Sequence, residues 1–494
     1  NNEFGFITHF GWRTDQNLRM WVPASYFHWQ ATFSSTHIHN YSNNYTYYQD
    51  LYKISTCTTC GYKKVEYLYD FEVENIDDNE YITIKKVSEQ IPNQLTIPEI
   101  INGTIVKTID NNAFKDNILL EEITIPSSVT KIGDSVFENC IKLRKVTYLG
   151  NDVTIGKYSF KNCDKLSDIN LLAKLKQINE GTFEECNSLE TVILSSELTK
   201  IDKYAFRNCA SLGAITVPTN VKTIPIGAFE GCNNLVRVSL PSSLISIEYN
   251  AFKDCTSLKR MVVPYQVNNI SQSAFENCKN LTSITIPNAV TVIEENVFSG
   301  CENLETIEFP NNLSVIKAKA FLNCYNLKIT SFPTNIQEIG TFAFKNCRSI
   351  ENVILPKGLL LIKEEAFAGC TKLNQITLLR ETNGVINIEN GIFDNCIALT
   401  KIVIPSSQII KYSTNASWSL YKDKFVLSNE LSEYSLNCYS SPYTISTTLE
   451  HAHNKLYKIN IKCNKSYKIT VNANYLVNIH LYHEIGRASC RERV

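Results

Sequence analysis

Residues 274–298 read AFENCKNLTSITIPNAVTVIEENVF, and the pattern of apolar residues in this stretch predicts the fold of most of the chain. From Leu281 apolar and polar residues alternate, the period of two that marks a strand with one buried face. Pro287 follows, and because proline cannot donate a ladder hydrogen bond, it predicts the end of that strand. A second apolar pair, Val290 and Ile293, precedes the next Phe. The stretch therefore predicts one short strand and a return path with apolar contacts of its own.

The same features recur every 23 residues along most of the chain. Phe marks the period at 114, 137, 160, 183, 206, 229, 252, 275, 298, 321, 344 and 367, and then at 393 after a gap of 26 residues. Cys follows three residues after each Phe from 137 onward, and Leu follows six residues after each Phe, with Ile350 as the one replacement. One such unit cannot bury its apolar residues alone, so the units must stack into a solenoid of about thirteen coils.

The repeated unit A-F-x-x-C-x-x-L-x-x-I-x-I-P-x-x-V-x-x-I resembles the BspA-like leucine-rich repeat of bacterial surface proteins and large protozoan families. The resemblance covers roughly residues 90 to 410. It implies a leucine-rich-repeat solenoid with a parallel β-sheet on its concave face. It also implies a protein exposed at the cell surface or secreted, which adheres to matrix proteins, host cells or other microbes.

The reach of the repeats divides the chain into four segments. These are an aromatic and His-rich N-terminal module at 1–88, the solenoid at 89–410, a C-terminal cap and the start of a β domain at 411–483, and a tail at 484–494. The tail resembles the translation of a sequencing adapter, and we expect it to be an artefact. The chain starts without Met or a signal peptide, so we expect a fragment whose true N-terminus carried any targeting signal.

Composition and charge narrow the class of partner. Lys and Arg number 48 against 49 Asp and Glu, a net charge of -1, so neither a nucleic acid nor a membrane surface is an expected partner. No stretch reaches the roughly 18 consecutive apolar residues of a membrane-spanning helix.

Catalytic motifs are also absent from the sequence, which contains no G-x-S-x-G, P-loop, dinucleotide fingerprint or H-E-x-x-H. The sequence therefore favours a protein that binds a protein or cell-surface ligand over an enzyme. Two alternatives stay open, a cytoplasmic interaction scaffold of a protist and the binding region of a larger enzyme whose catalytic domain lies outside this chain.

The strands predict where a ligand docks. In Leu-x-x-Ile-x-Ile the apolar residues point inward, so the positions two and four after each Leu point out onto the sheet. The earlier position gives Lys145, Arg237 and Arg260. The later gives a largely hydroxyl column that includes Thr216, Ser239 and Thr285. A merely solvated β surface is the alternative. Because Arg is enriched at binding centres, we expect docking around Arg237 and Arg260.

Twelve of the seventeen Cys occupy one position of the coil. The favoured interpretation is a column of buried small side chains whose weak S–H donors face backbone groups of the turn. Disulfides between successive coils are disfavoured, because stacked Cβ atoms stay about 4.8 Å apart rather than the roughly 3.8 Å of a bridge. Metal binding is the weakest alternative, since a column of identical thiols offers no tetrahedral pocket.

A second group of cysteines stands in the N-terminal module. Cys57-Thr-Thr-Cys60-Gly61 follows His37 and His39, and this run resembles small H…C-x2-C-G modules of some bacterial surface proteins. Two thiolates on a turn form half of a tetrahedral zinc site, and the two His are the nearest candidates for the other half. The sequence predicts a structural zinc at these four residues, with a Cys57–Cys60 disulfide or unbound thiols as alternatives of equal weight.

Overall fold

A computed structural model describes residues 39–76, 79–380 and 384–428, together with the backbone of the strands Ser432–Leu436 and Tyr457–Ile461. The chain divides into two compact units, residues 1–67 and residues 68–494. His37 and the tail 484–494 lie outside the described residues.

The described part of the first unit is a three-stranded antiparallel sheet. Its strands are β1 (Tyr41–Tyr48), β2 (Tyr52–Cys57) and β3 (Lys63–Tyr67), and β2 lies between the other two. Short turns join consecutive strands, as expected for hairpins. The turn between β2 and β3 carries the C-x-x-C motif.

The second unit begins with two strands that the 23-residue pattern does not reveal. Tyr69–Ile76 pairs antiparallel with Asn79–Val87, which in turn pairs parallel with Thr104–Ile109 of the repeat array. The two strands therefore continue a sheet of the array. The sequence placed them in the N-terminal module ending at residue 88, because they lack the Phe, Cys and Leu of the repeat.

Most turns of the array contribute one strand to each of two columns, and pairing within a column is parallel. The first strand column consists of Gln94–Thr96, Glu122–Ile125, Lys145–Tyr148, Asp168–Ile169, Ala214–Thr216, Arg237–Ser239, Arg260–Val262, Ser283–Thr285, Thr306–Glu308, Asn352–Leu355, Gln375–Leu378, Lys401–Pro405 and Phe425–Ser428. The second strand column consists of Thr104–Ile109, Lys131–Ile132, Thr154–Ile155, Gln177–Ile178, Lys200–Ile201, Thr223–Ile224, Ser246–Ile247, Asn269–Ile270, Val292–Ile293, Val315–Ile316, Glu338–Ile339, Leu361–Ile362 and Asn387–Ile388. A short strand, Ile100–Ile101, pairs antiparallel with Thr104–Ile109.

The solenoid predicted from the sequence is confirmed, with about 15 turns rather than about thirteen. The additional turns come from the ends of the array. Gln94–Thr96 and Phe425–Ser428 join the first strand column by parallel pairing, although neither belongs to a unit with the full repeat pattern.

The core follows the repeat. Every Phe of the series from 114 to 367 is fully buried, and from Phe137 to Phe367 successive rings stack with centroids 5.0 to 5.8 Å apart. The Leu column is buried beside it. Aromatic pairs at such distances stabilise by about 0.5–1.5 kcal/mol beyond the burial of their area. Each turn therefore depends on its two neighbours for its own core.

Two positions of each turn have positive φ. The position two after Phe carries mainly Asn, Asp or Gly, the residues that tolerate this conformation best. Its Asn side chains also bond from turn to turn, since Asn139 Nδ2 donates to Asp116 Oδ1 at 2.7 Å and Asn162 Nδ2 donates to Asn139 Oδ1 at 2.9 Å. The other position, two before Phe, is more varied: it carries Asn or Gly in about half of the turns and large residues such as Tyr158 and Tyr204 in others.

The first strand column has no strand pairing between Arg237–Ser239 and Arg260–Val262, and it is interrupted at three further turns. One contains a 3-10 helix, Asn170–Lys174, and there the side chain of Asn170 bonds both the backbone N–H and the C=O of Tyr148. The next two interruptions keep only isolated bridges, at Thr191 and Ser331. The first two of these turns lack the proline that ends the strand in other repeats. In the third turn, Thr330 stands where the repeat has its first Ile after Leu.

The C-terminal end of the array is covered by a short irregular segment. It contains a helix, Ile409–Thr414, between 3-10 segments Ser406–Gln408 and Trp418–Lys424. Trp418 is fully buried, packs 6.4 Å from the ring of Phe393 and donates its indole N–H to the Ile386 carbonyl at 2.6 Å. Beyond it, Ser432–Leu436 and Tyr457–Ile461 pair in parallel. In the described part of the chain no helix is long and apolar enough to cross a bilayer.

Candidate functional site

The predicted docking residues lie on the outer face of the first strand column. In Arg260–Val262 the middle residue, Met261, is buried and its two neighbours are exposed, as the period of two requires. The other predicted residues with exposed side chains are Thr216, Ser239, Arg237 and Thr285.

Pairing between strands brings some of these residues together. Thr216 stands opposite Ser239 in the neighbouring strand, and Thr285 stands opposite Val262. Lys145 does not join them, because it lies four turns before Arg237, about 19 Å away at the usual strand spacing. It forms an ion pair with Asp168 at 3.4 Å instead.

Arg237 and Arg260 differ from two other arginines of the array. Arg144 is paired with Glu122, and Arg207 is paired with the buried Glu184. By contrast, across residues 39–76, 79–380 and 384–428 no carboxylate lies within ion-pairing distance of Arg237 or Arg260. Their charges therefore face solvent on adjacent turns.

Two further exposed residues were missed in the sequence. Val262, on the same face as Arg260, is 75 % exposed, and Tyr265, three residues farther along the turn, is 73 % exposed. The hydroxyl residues of this column predicted the docking positions, and Val262 was not among them, although a Val where most turns carry Thr or Ser is a visible signal. We call Arg237, Arg260, Val262 and Tyr265 the arginine patch.

The cysteine column has the environment that the sequence favoured. Each of the twelve thiols donates a hydrogen bond to the carbonyl of a Phe in the preceding turn, at 3.1 to 3.2 Å. Burial raises the pKa of Cys140 and that of Cys232 to about 12. The interpretation as a column of buried S–H donors is confirmed, and the raised pKa keeps Cys140 and Cys232 protonated at neutral pH.

The cysteines of the first unit lie in a different setting. Cys57 ends β2 and is buried, whereas Cys60 is exposed on the following turn. The Nδ1 atom of His39 lies 3.3 Å from Cys60 Sγ, and one ligand atom from each of these three residues lies within 4.8 Å of the other two. Three of the four predicted zinc ligands are therefore brought together, and the fourth, His37, lies outside the described residues.

The repeats match a known family. A family model described as "BspA type Leucine rich repeat region (6 copies)" matches residues 107–236, 222–351, 291–420 and 337–470, together well over half of the chain. The chain belongs to the BspA-type leucine-rich-repeat family. The matched residues cover most of the array and include the arginine patch. His39, Cys57 and Cys60 precede the first matched residue.

Solved structures similar to this BspA-type protein include two further leucine-rich-repeat proteins. A leucine rich cell surface protein of Faecalibacterium prausnitzii is 27% identical over 71% of this chain and 95% of that chain, with a TM-score of 0.46. A leucine-rich-repeat protein of Bacteroides ovatus is 23% identical over 72% of this chain and 98% of that chain, with a TM-score of 0.49. No curated protein matches this chain.

Proposed function

We propose that this BspA-type protein is a cell-surface or secreted binding protein that holds a protein or cell-surface ligand on the outer face of its first strand column. The arginine patch is the proposed centre of contact. The observation that carries the proposal is the pair of solvent-facing arginines on adjacent turns, beside the exposed apolar side chain of Val262.

The chemistry of the patch indicates what it would bind. A guanidinium group binds a carboxylate through two parallel hydrogen bonds, and Arg and Tyr are enriched where interfaces gain most of their binding free energy. An apolar side chain beside them adds contact area that is released from water on docking. The complementary ligand surface therefore carries carboxylates next to an apolar residue.

The positive charge of the arginine patch is local and is not shared by the chain as a whole. The whole chain has a net charge of -1, and Glu308 lies on the same strand column two turns after Arg260. Such an arrangement favours one orientation of an acidic ligand over nonspecific attraction. Attraction to exposed charges is screened by salt, so binding should weaken as ionic strength rises.

A double substitution tests the docking site. Arg237→Ala/Arg260→Ala should lower adhesion of the purified protein to immobilised matrix proteins and intact cells by about tenfold or more, with an unchanged thermal midpoint. The matched control is Lys142→Ala/Lys165→Ala, which also removes two exposed cations one turn apart but outside the strands. Adhesion of the arginine variant at wild-type strength would show that another surface carries the function.

Location distinguishes this proposal from a cytoplasmic scaffold. An antibody against the array should label intact cells of the source organism without permeabilisation. Labelling that requires permeabilisation would overturn the surface assignment and favour the scaffold.

A further inference from the structure

We propose that His39, Cys57 and Cys60 bind a zinc ion, and that this ion stabilises the three-stranded sheet of the first unit. The proposal concerns a part of the chain outside the BspA-type repeats and does not depend on the docking function. The proposal rests on three observations. They are the distances among the three ligand atoms, the hydrogen bonds that hold these residues in place, and the few buried apolar side chains in the described part of the sheet.

The distances fit a shared ion. Zinc bonds of about 2.3 Å to sulfur and about 2.0 Å to nitrogen, in tetrahedral directions, place ligand atoms roughly 3.5–3.8 Å apart. The three ligand atoms here lie within 4.8 Å of one another, with the His39 nitrogen 3.3 Å from the sulfur of Cys60. These separations exceed the ideal ones by no more than about 1 Å.

The backbone holds the two cysteines on one side of a tight turn. Gly61 N–H donates to the Cys57 carbonyl at 2.9 Å, and Cys57 N–H donates to the Tyr62 carbonyl at 2.7 Å. Gly61 has a φ of +72°, a conformation that side chains rarely adopt, so glycine is the suitable residue after Cys60. The turn therefore directs both thiols without help from the ion.

β1 brings the histidine to this turn. The carbonyl of Asn40 accepts hydrogen bonds from the backbone N–H of Thr58 at 2.9 Å and from its hydroxyl at 3.0 Å. The imidazole of His39 stacks on Tyr62 with ring centroids 4.8 Å apart. This stacking restricts rotation of the imidazole ring.

Charge and ligand type favour zinc over harder cations. Two thiolates neutralise the two positive charges of the ion, and a neutral imidazole completes a soft donor set that Mg²⁺ and Ca²⁺ do not prefer. A disulfide between Cys57 and Cys60 would use the same sulfurs and leave the nearby imidazole without a role.

The described part of this sheet buries few apolar side chains. Within residues 39–67 the buried apolar side chains are Tyr52, Ile54 and Cys57. Small domains with so little core commonly depend on a metal or a disulfide, and a structural zinc contributes its binding free energy directly to folding. Removal of the ion should therefore loosen this sheet and leave the repeat array folded.

The test uses the full chain, purified under reducing conditions and equilibrated with Zn²⁺. We expect one tightly bound zinc by elemental analysis, and a thiolate-to-metal charge-transfer band when Co²⁺ replaces it. Cys60→Ser and His39→Ala should each lower zinc affinity by about tenfold or more, measured by competition with a chromophoric chelator. Cys255→Ser, which alters one thiol of the array, should keep the wild-type affinity.

Two outcomes would overturn the proposal. One is a reduced protein, equilibrated with Zn²⁺, that holds no zinc by elemental analysis although Cys57 and Cys60 are free thiols by mass spectrometry. The other is zinc binding that remains at wild-type affinity in both Cys60→Ser and His39→Ala, which would place the ion elsewhere. Because adhesion is not measured, failure here would leave the proposed docking site untouched.

Discussion

The cysteines of the repeat array and those of the N-terminal sheet are the same residue in two chemical environments. In the array each thiol is buried and donates to a Phe carbonyl of the preceding turn, as Cys255 does to Phe229 at 3.1 Å. In the N-terminal sheet, Cys60 is exposed and lies 3.3 Å from an imidazole nitrogen. Stacking of equivalent turns therefore buries a cysteine in the core, whereas a tight turn beside a histidine leaves the sulfur available for metal binding.

The largest effect that the comparison predicts is the loss of the array's core. Leu235 is fully buried in mid-array, and Leu235→Asp would place an unpaired carboxylate there. We expect it to lower the free energy of unfolding by about 3–5 kcal/mol, seen as a lower urea midpoint. Val236→Asp is the matched control, because the adjacent side chain is exposed and should tolerate the change. Equal midpoints for the two variants would mean that the register of the Leu column is wrong.

Removal of one thiol should have a smaller and local effect. Cys255→Ala deletes a buried sulfur and its hydrogen bond, which should cost about 1–2 kcal/mol in the urea unfolding of the array. Cys60→Ala should leave that transition unchanged, because the exposed sulfur contributes nothing to the array's core. A midpoint that moves with Cys60→Ala but not with Cys255→Ala would reverse the roles that we assign to the two groups.

The smallest effect concerns an ion pair on the array. Glu180 accepts a hydrogen bond from the Tyr158 hydroxyl at 2.6 Å and pairs with Lys203 at 3.0 Å, and these contacts lower its pKa from 4.5 to about 2. A lowered folded-state pKa stabilises above the unfolded value, so this contribution is complete above pH about 4.5 and is lost as pH falls toward about 2. Unfolding of Glu180→Gln should vary less with pH across that window, and an identical pH dependence would contradict the assignment.

The sequence predicted the array well because each turn repeats the same solution. Phe, Cys and Leu at fixed spacing identified the buried columns, and the alternation after Leu identified the first strand column. The prediction failed where tertiary contacts replace the pattern. Asn170 supplies side-chain hydrogen bonds in place of a strand, and Gln94–Thr96 pairs with the array although its unit lacks the repeated Phe.

The two candidate sites were predictable to different degrees. A period of two placed Arg237 and Arg260 outward, but exposure of Val262 and Tyr265 depends on which neighbours cover them, and sequence spacing does not give that. The C-x-x-C turn was visible as two sulfurs close in sequence. His39 was only a candidate ligand, because its approach to the two cysteines depends on the pairing of β1 with β2.

Site-resolved thiol labelling directly tests whether the array cysteines are buried while Cys60 is accessible. The native protein, stripped of metal by a chelator at pH 8, would be treated with N-ethylmaleimide, and modification of each cysteine followed by mass spectrometry. We predict rapid modification of Cys60 and none of the twelve array cysteines until urea unfolds the chain, because burial both blocks access and, as at Cys232, raises the thiol pKa to about 12. Modification of Cys255 or its equivalents in the folded protein at a rate similar to that of Cys60 would contradict the account.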